Sequence, residues 1–165
     1  MLSLKCMVWK SLQRRASSIW FLFLTVVCQG QKESFEFQHL NAEQGLSHNI
    51  VNCVIQDRRS YIWIGTRKGL DRYDGHFVKS LETLEPQLKA YLGDEISCSY
   101  LDGRGRLWFG TTGLICYDPE SHYFHRYLKG DGSGLSSNDI TKIVEDEFGN
   151  LWIATRIGLN LFNSR

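Results

Sequence analysis

The sequence predicts an all-β fold: a β-propeller whose blades have four antiparallel strands, with three blades present as an incomplete open arc. Trp63, Trp108 and Trp152 recur 45 and 44 residues apart, and each lies six residues after an Asp (Asp57, Asp102, Asp146). Each Trp is followed by a small residue and Thr, then by Gly-Leu (Gly69-Leu70, Gly113-Leu114, Gly158-Leu159), then by an aromatic (Tyr73, Tyr117, Phe162). The segments between these marks are short and bounded by turn residues, and the 3.6-residue spacing of a helical solenoid is missing. A repeat of this length built from short strands reads as one propeller blade.

Residues 1–30 are of another kind. A basic start (Lys5, Lys10, Arg14, Arg15) precedes an apolar run from Ala16 to Val27 and the small-x-small sequence Cys28-Gln29-Gly30. This is the pattern of a secretory signal peptide, and the run is shorter than the roughly 20 residues of a spanning helix. The mature chain is therefore expected to be exported. Residues 31–165 are expected to form the partial propeller, with blades at about 50–81, 96–127 and 140–163. The stretch 35–40 aligns with Tyr123–Leu128, since both precede a Gly-Leu-Ser phrase, and is expected to be a spare outer strand. The third blade lacks its own fourth strand. Three blades fall short of the four to eight that close a ring. The chain is thus expected to be the N-terminal part of a longer protein or a truncated product, whose partners are the remaining blades or a second copy of the chain.

Turn chemistry accounts for most repeated residues. Asp102-Gly103-Arg104-Gly105 and Asp146-Glu147-Phe148-Gly149 place Asp where its carboxylate accepts turn amides, and Gly where φ is positive. Unit one reads Asp57-Arg58-Arg59-Ser60, without that Gly, so a looser or differently shaped hairpin is expected there. The three Trp are expected to fill the space between blades, with Gly65, Gly110 and Ala154 small because a neighbouring blade packs on them. The Gly-Leu-Ser-x-Asn phrase of units one (45–49) and three (134–138) is replaced in unit two by Leu92-Gly93-Asp94-Glu95. After the leader three cysteines remain, Cys53, Cys98 and Cys116, an odd number expected to be buried thiols.

A net charge of +1 gives no electrostatic footprint for nucleic acid. His122 and His125 are three apart on a strand and so face opposite sides, which argues against a metal pair. The acids Glu145, Asp146 and Glu147 cluster around a turn. No catalytic set, metal site or cofactor is expected. Because consecutive strands alternate direction, the Gly-Leu-Ser loops and the loops between second and third strands share one face. That face collects His48, Asn49, Arg67, Lys68, Ser137, Asn138 and Arg156, amide and guanidinium donors suited to sugar hydroxyls or a carboxylate.

The phrases Gly-Leu-Ser-x-Asn, Asp-x-x-Gly-x-Leu-Trp-Ile-Gly-Thr and Gly-Leu-x-x-Tyr-Asp resemble the two-component regulator propeller repeat, over about residues 35–163. The resemblance implies the N-terminal part of the periplasmic sensor of a bacterial hybrid histidine kinase, membrane-anchored in its full length. It also implies an oligosaccharide ligand, since such sensors typically respond to carbohydrates. The chain itself carries no kinase, so it is not expected to be an enzyme. A propeller lyase and a protein-interaction scaffold without small ligand are the alternatives.

Overall fold

A computed structural model describes residues 36–84 and 95–163. The leader at 1–30, Phe35 and the phrase Leu92-Gly93-Asp94 lie outside the described residues. The chain divides into a unit Met1–Gln38, of which 36–38 are described, and a unit His39–Arg165 that carries the described strands.

Within the second unit, short β-branched and aromatic segments pair with their sequence neighbours into three antiparallel sheets. Blade 1 contains β1 (Val51–Gln56), β2 (Ile62–Thr66), β3 (Gly69–Tyr73) and β4 (Val78–Ser80), followed by one helical turn, α1 (Leu81–Leu84). Blade 2 contains β5 (Cys98–Leu101), β6 (Leu107–Thr111), β7 (Gly113–Asp118) and β8 (Tyr123–Tyr127). Blade 3 contains β9 (Ile140–Glu145), β10 (Leu151–Thr155) and β11 (Gly158–Phe162), in the order β11-β10-β9. The first strands of consecutive blades lie against each other, β1 beside β5 and β5 beside β9, the arrangement of propeller blades around an axis.

The Asp–Trp spacing has a direct cause. One oxygen of each Asp accepts two turn amides: Arg59 and Tyr61 on Asp57, Arg104 and Arg106 on Asp102, Phe148 and Asn150 on Asp146. The other accepts the indole N–H six residues on, at 2.8 Å from Trp63, 2.9 Å from Trp108 and 3.0 Å from Trp152. A Trp can enter a core only if its N–H finds an acceptor, and the turn Asp supplies one from the next strand. Unit one's hairpin is not looser, contrary to the sequence expectation. Ser60 adopts φ of 67° where Gly105 and Gly149 have 89° and 80°. It donates its amide to Asp57 O at 3.1 Å, as those glycines do to Asp102 and Asp146. The Asp carboxylate defines the turn, and the serine absorbs the unfavourable backbone conformation.

Two cores sit at the two seams. Trp63 packs into blade 2 among Ile96, Leu107, Phe109, Ile115 and Tyr117. Trp108 packs into blade 3 among Ile140, Ile143, Leu151 and Ile153. Gly65 and Gly110 are small for the expected reason: a Cβ would lie 2.7 Å from Ile96 Cγ2 at the first and 2.9 Å from Ile140 Cβ at the second. Trp152 departs from expectation, being 39% exposed against 1% for Trp63 and 0% for Trp108, because among the described residues no blade lies beyond it. Residues 36–40 form no strand, so the spare outer strand expected at 35–40 is absent from its described part. The fifth strand starts at Cys98 rather than Ile96, because the Ile96 amide bonds Thr66 O of blade 1 at 3.0 Å instead of its own blade's ladder.

Candidate functional site: a cleft at the second seam

The Gly-Leu-Ser loops and the β2–β3, β6–β7 and β10–β11 hairpins lie at the same ends of the strands, and here the third-strand residues matter most. In blade 1 Asp71, fully buried, accepts the Ser47 amide at 2.8 Å and the Ser47 hydroxyl at 2.5 Å. In blade 3 Asn160 does the same work, accepting the Ser136 amide at 3.0 Å and donating to the Ser136 hydroxyl at 3.0 Å. Each bond set latches the loop onto the blade it enters. Burial raises the Asp71 carboxyl above its usual range, with the Ser47 hydroxyl and amide partly opposing. Blade 2 lacks the Gly-Leu-Ser phrase and carries buried Ile115 at this position.

The residues expected to bind ligand divide sharply. Asn49 and Asn138 each accept a backbone amide of the incoming loop, from Ala42 at 2.8 Å and Lys129 at 2.7 Å, and so brace that loop. His48 Nδ1 accepts the Ile50 amide at 2.9 Å, and buried Ser137 accepts the Asp139 amide at 3.1 Å. The Lys68 amide donates to the Thr66 hydroxyl at 3.1 Å. Arg67 lies 3.9 Å from Glu95 of blade 2, an exposed ion pair across the first seam. Of the seven, Arg156 lines a cleft between blades 2 and 3.

That cleft has a volume of about 380 Å³. Glu95, Thr112, Asp139 and Arg156 form its polar wall, with Ser97, Thr111, Ile140 and Thr141 beneath. Its origin is a difference in hairpin length. Six residues separate Trp from the following Gly in blades 1 and 3 (Trp63 to Gly69, Trp152 to Gly158), but five in blade 2 (Trp108 to Gly113). The shorter hairpin puts Thr112 where blade 1 has Arg67-Lys68, and the long side chain that reaches Glu95 across the first seam has no counterpart at the second. Thr112 instead bridges to Asp139 through the backbone. It is held there by the Arg126 guanidinium, which donates to Thr112 O at 2.6 Å and to its hydroxyl at 3.1 Å.

Several lining groups are already engaged. Glu95 accepts the Asn52 amide at 3.1 Å, Ser97 donates to Ile140 O at 2.7 Å, and Thr141 donates to Ala154 O at 3.2 Å. Among the described residues the Asp139 carboxylate and Arg156 guanidinium have no side-chain partner, so an acceptor pair and a planar donor fork stand free at one mouth. Such a set can hold a vicinal diol.

The chemistry of catalysis is less well served. Burial raises the Cys53 and Cys98 thiols and pushes Cys116 up to about 12, so none is a nucleophile at neutral pH. His125 contacts the Tyr123 hydroxyl at 3.3 Å and His122 the Tyr117 hydroxyl at 3.5 Å, both within the β7–β8 hairpin. Among the described residues no three His, Cys, Asp or Glu converge as a metal site, and no helix is long and apolar enough to cross a membrane.

The pattern of the two component regulator propeller family matches residues 45–68, 90–113 and 134–156. A stretch of 63 residues is 38% identical to Histidine kinase P4 of Formosa agariphila, covering 38% of this chain and 5% of that protein. The extracellular domain of a B. thetaiotaomicron protein assigned to a hybrid two-component system superposes with a TM-score of 0.68 and 29% identity, over 77% of this chain and 19% of that one. PorZ, a surface component of the type-IX secretion system of Porphyromonas gingivalis, has a TM-score of 0.57 at 20% identity, over 81% of this chain and 21% of its own, a likeness of fold alone. The chain thus spans about a fifth of the solved relatives and 5% of the sequence relative.

Proposed function

Because the chain belongs to the two-component regulator propeller family, we propose that it is a ligand-sensing segment of an exported, periplasmic two-component sensor, and that it contributes binding rather than catalysis. The ligand is an oligosaccharide held at the cleft between blades 2 and 3. One observation carries the reading: the repeat is interrupted at one seam, by a hairpin one residue shorter, and there Asp139 and Arg156 have no side-chain partner among the described residues and lie beside hydroxyl-bearing Thr111, Thr112 and Thr141. Carboxylates accept two adjacent sugar hydroxyls and a guanidinium donates to ring or carboxyl oxygens, so the set suits a neutral or uronic acid-containing sugar.

The test is calorimetric titration with a panel of neutral and uronic oligosaccharides. Asp139→Ala and Arg156→Ala should each weaken binding about tenfold or more, as expected for loss of a charged hydrogen-bonding partner. Thr112→Arg, which refills the notch, should abolish binding while leaving the melting temperature unchanged. Binding that survives all three substitutions removes the cleft from the site, and no binding across the panel favours a scaffold.

A further inference from the structure

Blade 2 departs from the repeat at two places, and the two departures touch. Its β6–β7 hairpin is one residue shorter than the matching hairpins of blades 1 and 3. Its outer strand carries Arg126 opposite Ile115, at the register where blade 1 sets Ser80 opposite Asp71. From there the Arg126 guanidinium reaches the short hairpin, donating to Thr112 O at 2.6 Å and to the Thr112 hydroxyl oxygen at 3.1 Å. A long side chain on the outer strand thus meets the one hairpin of the three that has been cut back to form the cleft.

That hairpin also leans across a seam. In blades 1 and 3 a hairpin amide bonds the entry of its own blade's first strand, Arg67 to Ile50 O and Arg156 to Asp139 O, both at 3.1 Å. In blade 2 the Gly113 amide bonds Asn138 O of blade 3 at 2.8 Å, and Thr112 bridges to Asp139. Glycine is required for this turn: its φ is 126°, and a Cβ there would lie 2.7 Å from Leu128 Cδ2 and 2.9 Å from Tyr127 O. The backbone that carries the Asp139 carboxylate is therefore registered against the other blade. The place of Asp139 depends on Thr112, and that of Thr112 on Arg126.

The same bonds set the polarity of the cleft. A hydroxyl has one hydrogen, so its partner decides what it can offer a ligand. Ser97 and Thr141 give theirs to Ile140 O at 2.7 Å and Ala154 O at 3.2 Å, which leaves them as acceptors. Thr112 is the reverse. A guanidinium only donates, so the Thr112 oxygen is engaged as an acceptor and its hydrogen is left for another partner. We propose that Arg126 is the positioning residue of the cleft between blades 2 and 3. It holds Thr112 across the seam beside Asp139, and it makes the Thr112 hydroxyl a donor to a ring, glycosidic or carboxylate oxygen of the bound sugar. The donor role rests on the oligosaccharide reading above, whereas the hold on the seam does not.

Amide hydrogen exchange on the full chain tests the hold on the seam without any ligand. Arg126→Met should speed exchange of the Gly113 amide about tenfold or more. The Asp102 amide, bonded to Arg106 O at 3.0 Å at the opposite end of the blade, should be unaffected. No change at Gly113, or equal acceleration at both amides, overturns the proposal, the second by making Arg126 an ordinary packing residue. Calorimetric titration with neutral and uronic oligosaccharides tests the donor role. Arg126→Lys, still a donor only, should keep affinity within about threefold, and Arg126→Met should lose about tenfold. Thr112→Val should weaken binding by itself but add little in the Arg126→Met background. Equal affinity in the Lys and Met variants overturns the donor role. A wild-type chain that binds none of the panel removes the oligosaccharide reading instead, and the Gly113 exchange then decides the positioning alone.

Discussion

Replacing Asp102 with alanine should damage this fold more than loss of a surface turn residue normally would. Asp102 is buried, and its carboxylate accepts four donors: the Arg104 amide at 3.0 Å, the Arg106 amide at 2.8 Å, the Arg106 guanidinium at 2.7 Å and the Trp108 indole at 2.9 Å. Burial pushes this carboxyl up, but the Trp108 indole and the Arg106 amide and guanidinium outweigh it and hold it below its usual range. In the alanine variant water can reach the turn amides and Arg106, so each of those bonds costs no more than about 1 kcal/mol. Trp108 is different: it is completely buried, and its N–H would be left without an acceptor, at about 1 to 3 kcal/mol. The expected loss is about 3 to 4 kcal/mol, a large part of the 5 to 15 typical of a domain. Urea unfolding followed by tryptophan fluorescence measures it, read as a fall in midpoint at constant slope. Trp108→Phe, which removes the N–H but keeps most of the ring, should make the Asp102 substitution about 1 to 2 kcal/mol less costly in the double variant. A loss below 1 kcal/mol, or no coupling to Trp108, would refute the view that the Asp–Trp pair sets the repeat.

Much of this was legible in the sequence, and the parts that were not had physical causes. The blade count and strand order follow from the Asp, Trp and Gly-Leu register, because a pairing fixed at six residues leaves the same spacing wherever it is used. The reason for that spacing, an indole N–H bonded to a carboxylate, was visible only once the turn brought Trp108 back over Asp102. Ser60 misled because composition reports which residue prefers positive φ, not whether a carboxylate already defines the turn. The site was less legible. Asn49, Asn138, His48 and Ser137 are polar loop residues, and composition cannot tell a donor offered to a ligand from one engaged with its own backbone. Two signals were nevertheless present. The Trp-to-Gly interval shortens by one in blade 2, which carves the cleft, and the residue after Gly-Leu is Asp71 or Asn160 only where a Gly-Leu-Ser phrase exists for it to hold. The first needs knowledge of which hairpin borders which seam, and the second compares positions 24 residues apart.

The latch and the seam give further expectations. Asp71→Asn should leave thermal stability at pH 7 equal or higher, because Asn160 performs the same task and the burial that raises the Asp71 carboxyl is a cost carried by its charged form. Asp71→Ala should lower it by about 2 kcal/mol through the unpaired Ser47 groups; a destabilised Asn variant would contradict the equivalence. Gly110→Ala would bring a Cβ within 2.7 Å of Cys98 Sγ and 2.9 Å of Ile140 Cβ, so it should cost about 1 to 3 kcal/mol by prying blades 2 and 3 apart, seen as a lower melting temperature. Acid should act mainly through the turn carboxylates. Asp146 is held at about 2 first by the Asn150 side-chain amide, with the Asn150 backbone amide, the Trp152 indole and the Phe148 amide adding to it, and Asp102 is held low as well. A folded-state pKa below the unfolded value of about 3.9 gives stability that is complete above pH 4 and disappears as pH falls toward 2. Melting temperature should therefore be flat between pH 7 and 5 and fall steeply below 4. In Asn150→Ala that fall should be shallower, because Asp146 loses the partner that holds its proton off; a fall of equal steepness in both proteins would place the acid sensitivity elsewhere than in this turn.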